Sequence, residues 1–356
     1  MFLERYVWFK PHARSRRVCY HAAMTNLGII GPGLIWENTH RAVIAALSDL
    51  FRVTAVAARS AANQERGRAA YPDATIYSDA QQLIADDSVQ AVVILTPIAL
   101  NAPLAAAALA AGKHAIVEKP LARSLAEARE VVEVAQTAPG ALYILEQHVH
   151  KSLIATVREL IGAGRIGQVV AFDRAVHVRI AAEGDQTGGY GGTDWRKAPD
   201  FPLGNFFDGG IHEVALHREL LGPAQAVFAS GRSLREGFGE VDLLSLVVQH
   251  AHNVQGVFAH SAALGNRGGR FLIHGTAGTL EIADRQIVVV DDASGARDTI
   301  AVRWHDESTA MWQEAAAVVE AGREPTYNAS AALADLAFME ALQTSLRSGK
   351  QEPVEG

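Results

Sequence analysis

Between Asn26 and about Glu118, short continuous apolar runs alternate with helical stretches, and no other feature constrains the fold of this chain as tightly. "LGIIG" (Leu27–Gly31), "RVTAVAA" (Arg52–Ala58), "VQAVVILT" (Val89–Thr96) and "HAIVEKP" (from His114) read as strands. "VQAVVILT" is apolar throughout, as a strand covered on both faces requires. "NTHRAVIAALSDL" (Asn38–Leu50) and the alanine-rich "APLAAAALAAG", closed by Gly112, read as the helices between them. Alternation of this kind implies right-handed crossovers and a parallel sheet. The next helix opens on Ser124-Leu125-Ala126-Glu127, a capping box, and "ALYIL" (Ala141–Leu145) closes this first unit.

The second half has a different texture. After a helix near Ile154–Gly162, the runs "QVVAFDRAVHV", "AVFASGRS", "DLLSLVVQH", "VQGVFAHSA", "RFLIHGT", "GTLEIAD" and "QIVVVDD" follow one another with few helices between them. Such spacing predicts a largely antiparallel sheet. A glycine-rich loop, Glu183–Asn205, lies inside it, and a last helical segment spans about Ala329–Arg347. With 356 residues, the chain exceeds what one hydrophobic core usually supports. The expected division is a dinucleotide-binding unit at 24–145 and a second α/β unit at 146–356.

A net charge of −7 argues against nucleic acid as a partner, since phosphate contacts need concentrated Lys and Arg. Residues 1–23 are the local exception, and Arg16-Arg17 there invites an export reading. The following "VCYHAAMTN" is too short and too polar for a signal peptide, so 1–23 is expected to be a disordered basic arm, with Met24 as an alternative start. The single cysteine, Cys19, excludes an internal disulfide and a thiolate metal cluster. No apolar run has membrane-spanning length, so the expected compartment is the cytoplasm.

Three local features carry chemistry. In "GIIGPGLIW", Gly31 and Gly33 would let the backbone approach a pyrophosphate, with Leu34 and Ile35 opening the helix beyond. After the second strand stand Arg59 and Ser60, with no carboxylate to hold ribose hydroxyls; a guanidinium beside a hydroxyl suits a 2′-phosphate, so NADP is expected over NAD. Equally, Arg59 is an ordinary surface residue type. "VEKP" puts Glu118 and Lys119 at the carboxyl end of a strand, where a lysine can hold a substrate oxygen; on spacing alone it is also an ordinary loop lysine. "NFFDGGIHEVALH" sets Asp208 and His212 four residues apart, on one face of a helix, within reach of each other or of a shared ligand. The plain alternative is a helix-opening Asp and a packed His. His212-Glu213 with His217 misses the H-E-x-x-H spacing, so no metal is expected.

Together these motifs resemble the glucose–fructose oxidoreductase and inositol dehydrogenase (Gfo/Idh/MocA) family. The resemblance runs from about Asn26 to Val354, through "SVQAVVILTP", "AGKHAIVEKPLARSLAEA", "ELIGAGRIGQV", "DWR…FFDGGIHEVALHRELLG" and "HGTAGTLEI". It implies a Rossmann-type doubly wound parallel sheet followed by an α/β domain with a large, mostly antiparallel open sheet, often used to build a dimer or tetramer. It implies oxidoreduction of a sugar, cyclitol or related polyol with NAD or NADP. Lys119, Asp208 and His212 then correspond to the family's catalytic lysine, carboxylate and histidine. His212 would take the hydroxyl proton, Lys119 would hold the same oxygen, and Asp208 would orient the imidazole or bind an adjacent hydroxyl. Thr96, Pro97 and Asn101, with Glu118 and Lys119, join the expected cofactor contacts, and Tyr190, Trp195 and Arg196 the expected substrate loop. A non-catalytic NAD(P)-binding sensor is the alternative function.

The chain departs from the family pattern at Trp36, which fills the third position of the glycine fingerprint, and at Ile98–Asn101. An indole in a position meant for close helix–strand packing must displace the helix start or turn aside. It is expected to project toward the nicotinamide side of the cleft. Family members also commonly carry an arginine where this chain has "EQHVHK", with His148, His150 and Lys151.

Overall fold

The computed structural model describes residues 24–180, 193, 195, 202–236, 239–265 and 269–355. The 1–23 arm lies outside the described residues, as do Tyr190 and Arg196. Among the described residues no helix is long and apolar enough to cross a membrane.

Strands β1 (Thr25–Ile30), β2 (Phe51–Ala57), β3 (Thr75–Tyr77), β4 (Ala91–Ile94), β5 (His114–Glu118) and β6 (Leu142–Leu145) form one sheet in the order β3-β2-β1-β4-β5-β6. Every pairing in it is parallel. The order reverses between β1 and β4, which opens a crevice at the carboxyl ends of these two strands.

Side chains alternate cleanly across this sheet. Val92, Ile94, Ala115, Val117 and Ile144 face one core, where helices Asn101–Ala110 and Leu125–Thr137 pack. Leu27, Ile29, Val93, Ile116, Tyr143 and Leu145 face the other. That second face is covered partly by Ile44 and Leu47 of the first crossover and partly by Met311, Trp312, Ala315 and Ala316. The latter belong to helix Glu307–Ala321, capped by Asp306 and ended by Gly322 in the left-handed region. Tyr143 Oη donates to Met311 O at 2.8 Å, a bond across 168 residues. A helix from the far end of the chain thus completes the first layer, although the sequence division assigns everything after residue 145 to a second unit.

The second sheet is built from β7 (Val169–His177), β8 (Ala224–Arg232), β9 (Leu243–His250), β10 (Gln255–Ser261), β11 (Arg270–Gly275), β12 (Gly278–Ala283), β13 (Gln286–Asp291), β14 (Arg297–Ala301) and β15 (Glu352–Pro353). Their order is β14-β13-β12-β11-β7-β10-β9-β8-β15, antiparallel throughout except for the parallel β7–β10 pair. Helices Ile211–Leu221 and Ala329–Ser348 cover one face, and among the described residues the other leaves Phe228, Val247 and Val257 exposed. The fold is therefore a Rossmann-type parallel sheet joined to a large, mostly antiparallel one.

Trp36 does not enter the cleft, which corrects the sequence expectation. It is fully buried among Leu27, Ile29 and Trp312, with Tyr71 edge-on at 6.0 Å between ring centroids. The bulky indole is accommodated by widening the helix instead: Trp36–His40 form a π-type turn before the regular helix Arg41–Ala46. Of the two ways to fit a large residue there, the chain reshapes the helix start and points the ring under the sheet.

Candidate active site

A cleft of about 1040 Å³ follows the carboxyl ends of the parallel strands. Gly31, Gly33, Leu34 and Ile35 line it after β1, Arg59 and Ser60 after β2, Thr96 and Pro97 after β4, and Glu118 and Lys119 at the end of β5. Trp195 and Asp208 reach it from the second half of the chain. Ten of the expected cofactor residues thus share one surface, since strand ends in a parallel sheet converge on one edge.

The two glycines do different work. Gly31 has φ +86°, and a Cβ there would come within 2.7 Å of Leu95 O, so the turn itself requires glycine. A Cβ on Gly33 would meet nothing nearer than 3.9 Å; it would stand in the open cleft, where a pyrophosphate would otherwise lie against the backbone. The helix N-terminus beyond supplies the partial positive charge such an anion needs. Arg59 is exposed at the cleft's outer end. Ser60 caps helix Ala61–Ala70 by accepting from Asn63 N, and its hydroxyl proton is left to donate.

Asn101 corrects a second expectation. It is fully buried and does not line the cleft. Its amide donates to Glu118 O and Pro120 O, each at 2.9 Å, while its Oδ1 accepts from Thr96 Oγ1 at 3.1 Å. With both ends of the amide committed, Asn101 braces the turn that carries Lys119 and stays behind the cleft wall.

At the inner end, Lys119 Nζ donates to Asp208 O at 2.9 Å and to Asp208 Oδ1 at 3.0 Å. Burial works to lower the pKa of this lysine, but Asp208, Glu118 and Glu146 outweigh it and raise the net value, so the ammonium stays charged. Asp208 sits in a π-type turn, Phe206–Gly210, which leads directly into the helix bearing His212. His212 Nδ1 lies 2.6 and 2.8 Å from the two carboxylate oxygens of Glu146. Burial, followed by the Lys119 charge, pushes the imidazole pKa down to about 3, so the ring is neutral. The His148 ring lies over it at 4.5 Å, tilted by 31°.

The expected trio of Lys119, Asp208 and His212 is brought together, but not in the expected pairs. Asp208 holds the lysine, and the group on the histidine's Nδ1 is Glu146. Sequence reasoning passed over Glu146, which begins "EQHVHK" directly after β6. A carboxylate immediately past the carboxyl end of a buried parallel strand was the available signal. Trp195 is partly buried against the core and lines the cleft.

A nucleotide-type cleft at a topological switch point, with a charged lysine at its inner end and a neutral histidine close to that lysine, defines an NAD(P)-binding oxidoreductase. The family model described as "Oxidoreductase family, NAD-binding Rossmann fold" (GFO_IDH_MocA) matches residues 25–145, and that of the GFO/IDH/MocA C-terminal domain matches 154–281. The chain belongs to the GFO/IDH/MocA family of NAD(P)-dependent dehydrogenases.

Among similar proteins, an uncharacterized protein of Saccharomyces cerevisiae is 30% identical over 277 residues, covering 74% of this chain and 76% of that one. A scyllo-inositol 2-dehydrogenase (NADP(+)) of Bacillus subtilis is 22% identical over 249 residues, 70% of this chain and 66% of that protein. The crystal structure of an oxidoreductase from Thermotoga maritima superposes with a TM-score of 0.86 at 28% identity, covering 93% of this chain and 99% of that one.

Proposed function

We propose that the chain is an NADP-dependent dehydrogenase acting on a carbinol carbon of a sugar, cyclitol or related polyol. The observation that carries this reading is Lys119 at the inner end of the cleft, held by Asp208 at 3.0 Å, with His212 on the helix that follows Asp208 and near enough for the lysine's charge to lower its pKa. A buried cation and a proton acceptor side by side are what oxidation of an alcohol asks of a protein. The NADP-linked inositol dehydrogenase among the similar proteins supports the same substrate class and cofactor.

In this account Gly31, Gly33, Leu34 and Ile35 hold the pyrophosphate, and Arg59 with Ser60 holds the 2′-phosphate. Thr96, Pro97 and Glu118 line the wall between these ends. The bound nicotinamide supplies or takes up the hydride. Lys119 has three N–H groups; Asp208 receives two bonds, and the third serves the substrate oxygen, favouring negative charge on it. His212 accepts the proton that the hydroxyl sheds as its carbon is oxidised. Asp208 keeps Lys119 charged and in place, and Trp195 forms part of the substrate wall.

Assembly through the open face of the second sheet belongs to the same proposal. Val257 pairs with Val247, and Val247 with Phe228, so three apolar side chains 47%, 38% and 38% exposed form a row across β10, β9 and β8. A dimer or tetramer would cover it, and sedimentation of the purified protein reads the state directly.

The functional test is a titration with NADP and NAD followed by a panel of sugars and cyclitols. Tighter NADP binding, lost in Arg59→Ala, with turnover of at least one polyol is expected. NAD preference would overturn the assignment of Arg59, and binding without any turnover would favour a sensor.

A further inference from the structure

We propose that Glu146 is the positioning residue that fixes the tautomer of His212, with the proton on Nδ1 and the lone pair on Nε2. This rests on His212 as the proton acceptor of the proposed reaction. Both Glu146 oxygens lie on Nδ1, at 2.6 and 2.8 Å, and Oε1 also accepts the backbone N–H of His148 at 2.9 Å. An acid proton would sit on one oxygen only. An N–H directed between two oxygens is the arrangement an ionised carboxylate makes with a ring donor.

Burial raises the Glu146 pKa on balance, opposed by the charge and backbone N–H of His148 and by the charges of Lys119 and Arg218. It is the contact of both oxygens with Nδ1 that assigns the ionised form. The nitrogen left over on a ring held this way is Nε2, an acceptor. His148, stacked at 4.5 Å, restricts the ring plane from the side. Asp208, four residues from His212 in the sequence, is the carboxylate a sequence reader would choose for this task; its Oδ1 is engaged by Lys119.

The charge balance matters as much as the tautomer. Lys119 opposes protonation of His212, so a proton arriving at Nε2 would create two adjacent cations. Glu146, buried at 0% exposure against the ring, offsets that repulsion as the imidazolium forms. In serine hydrolases a carboxylate in this position acts the same way, and its neutral amide replacement leaves the wrong tautomer.

The test uses NMR of isotope-labelled histidine rings in the full chain, with the His212 signals assigned by their loss in His212→Asn. Near neutral pH the wild-type ring is expected to show protonated Nδ1 and bare Nε2. The reverse tautomer would overturn the proposal, whatever any variant does. In Glu146→Gln, a mixed tautomer is expected, with kcat lower by at least about tenfold and KM and cofactor Kd within about threefold. Unchanged kcat with an unchanged ring spectrum would also overturn it. If no sugar or cyclitol turns over in the wild type, the substrate reading fails, and the ring spectrum still decides the role of Glu146.

Discussion

Trp312 donates its indole N–H to His40 Nδ1 across 3.1 Å and 272 residues of sequence. An indole nitrogen only donates, so Nδ1 of His40 is the acceptor and Nε2 carries the proton. That proton is donated to Glu118 Oε1 at 2.9 Å, beside Lys119. A buried chain of two bonds therefore ties the late helix Glu307–Ala321 to the strand end that presents the site lysine.

Trp312→Phe keeps most of the apolar contact and removes only the donor. It should destabilise the protein by about 1–3 kcal/mol, because His40 Nδ1 is left buried and unpaired. Urea unfolding reads the loss; a midpoint equal to the wild type would mean the bond is not made.

Gly31 and Gly33 should respond in opposite ways to alanine. Gly31→Ala forces a side chain into a left-handed backbone and against Leu95 O, so stability should drop by more than about 1 kcal/mol. Gly33→Ala has room for its methyl and should melt like the wild type, while cofactor binding weakens by at least about tenfold. Calorimetry and a cofactor titration on both variants separate the two effects. Equal cofactor affinity in Gly33→Ala would remove that face of the turn from the binding site.

Asp208→Asn keeps the shape and removes the charge that most strongly favours protonated Lys119. The lysine pKa should fall. In the proposed reaction the charged lysine is the active form, so the alkaline limb of kcat/KM should move to lower pH. A profile with an unmoved alkaline limb would contradict the pairing.

Burial pushes His217 down to about 3 and His250 and His260 to about 4, against an unfolded value of 6.5. Below pH 6.5 the unfolded chain binds protons that the folded one refuses. Their contribution to stability is therefore present above pH 6.5 and lost as pH falls toward 4. The melting temperature should decline over that window, and less steeply in His217→Phe, which takes up about one proton fewer on unfolding. His217 is ringed by Phe172, Phe258 and Phe271, so an aromatic replacement suits the site. Parallel slopes in both proteins would count against the burial account.

The parallel sheet was legible because strands such as Ala91–Ile94 are apolar at every position, a pattern few other folds need. The late helix was not, because its apolar residues cover a sheet formed some 170 residues earlier, and nothing local names that partner. Side-chain direction was the other blind spot. The composition of Asn101 announces hydrogen bonding but not toward what, and the amide turned inward to Glu118 and Pro120. Trp36 posed a choice between moving the ring and moving the helix, which packing resolves and a single sequence does not. The spacing of Asp208 and His212 suggested that the two face each other or a shared ligand, but Asp208 turns to Lys119, and the Nδ1 partner of His212 is Glu146, 66 residues away.

The central claim is that His212 removes the hydroxyl proton from a polyol. Its most direct measurement is the formation of reduced nicotinamide by wild type and His212→Ala, with NADP and the best sugar or cyclitol from the panel. Turnover in the variant is expected to be slower by about 10²–10⁴, with NADP affinity unchanged. Equal turnover in the two proteins would contradict it.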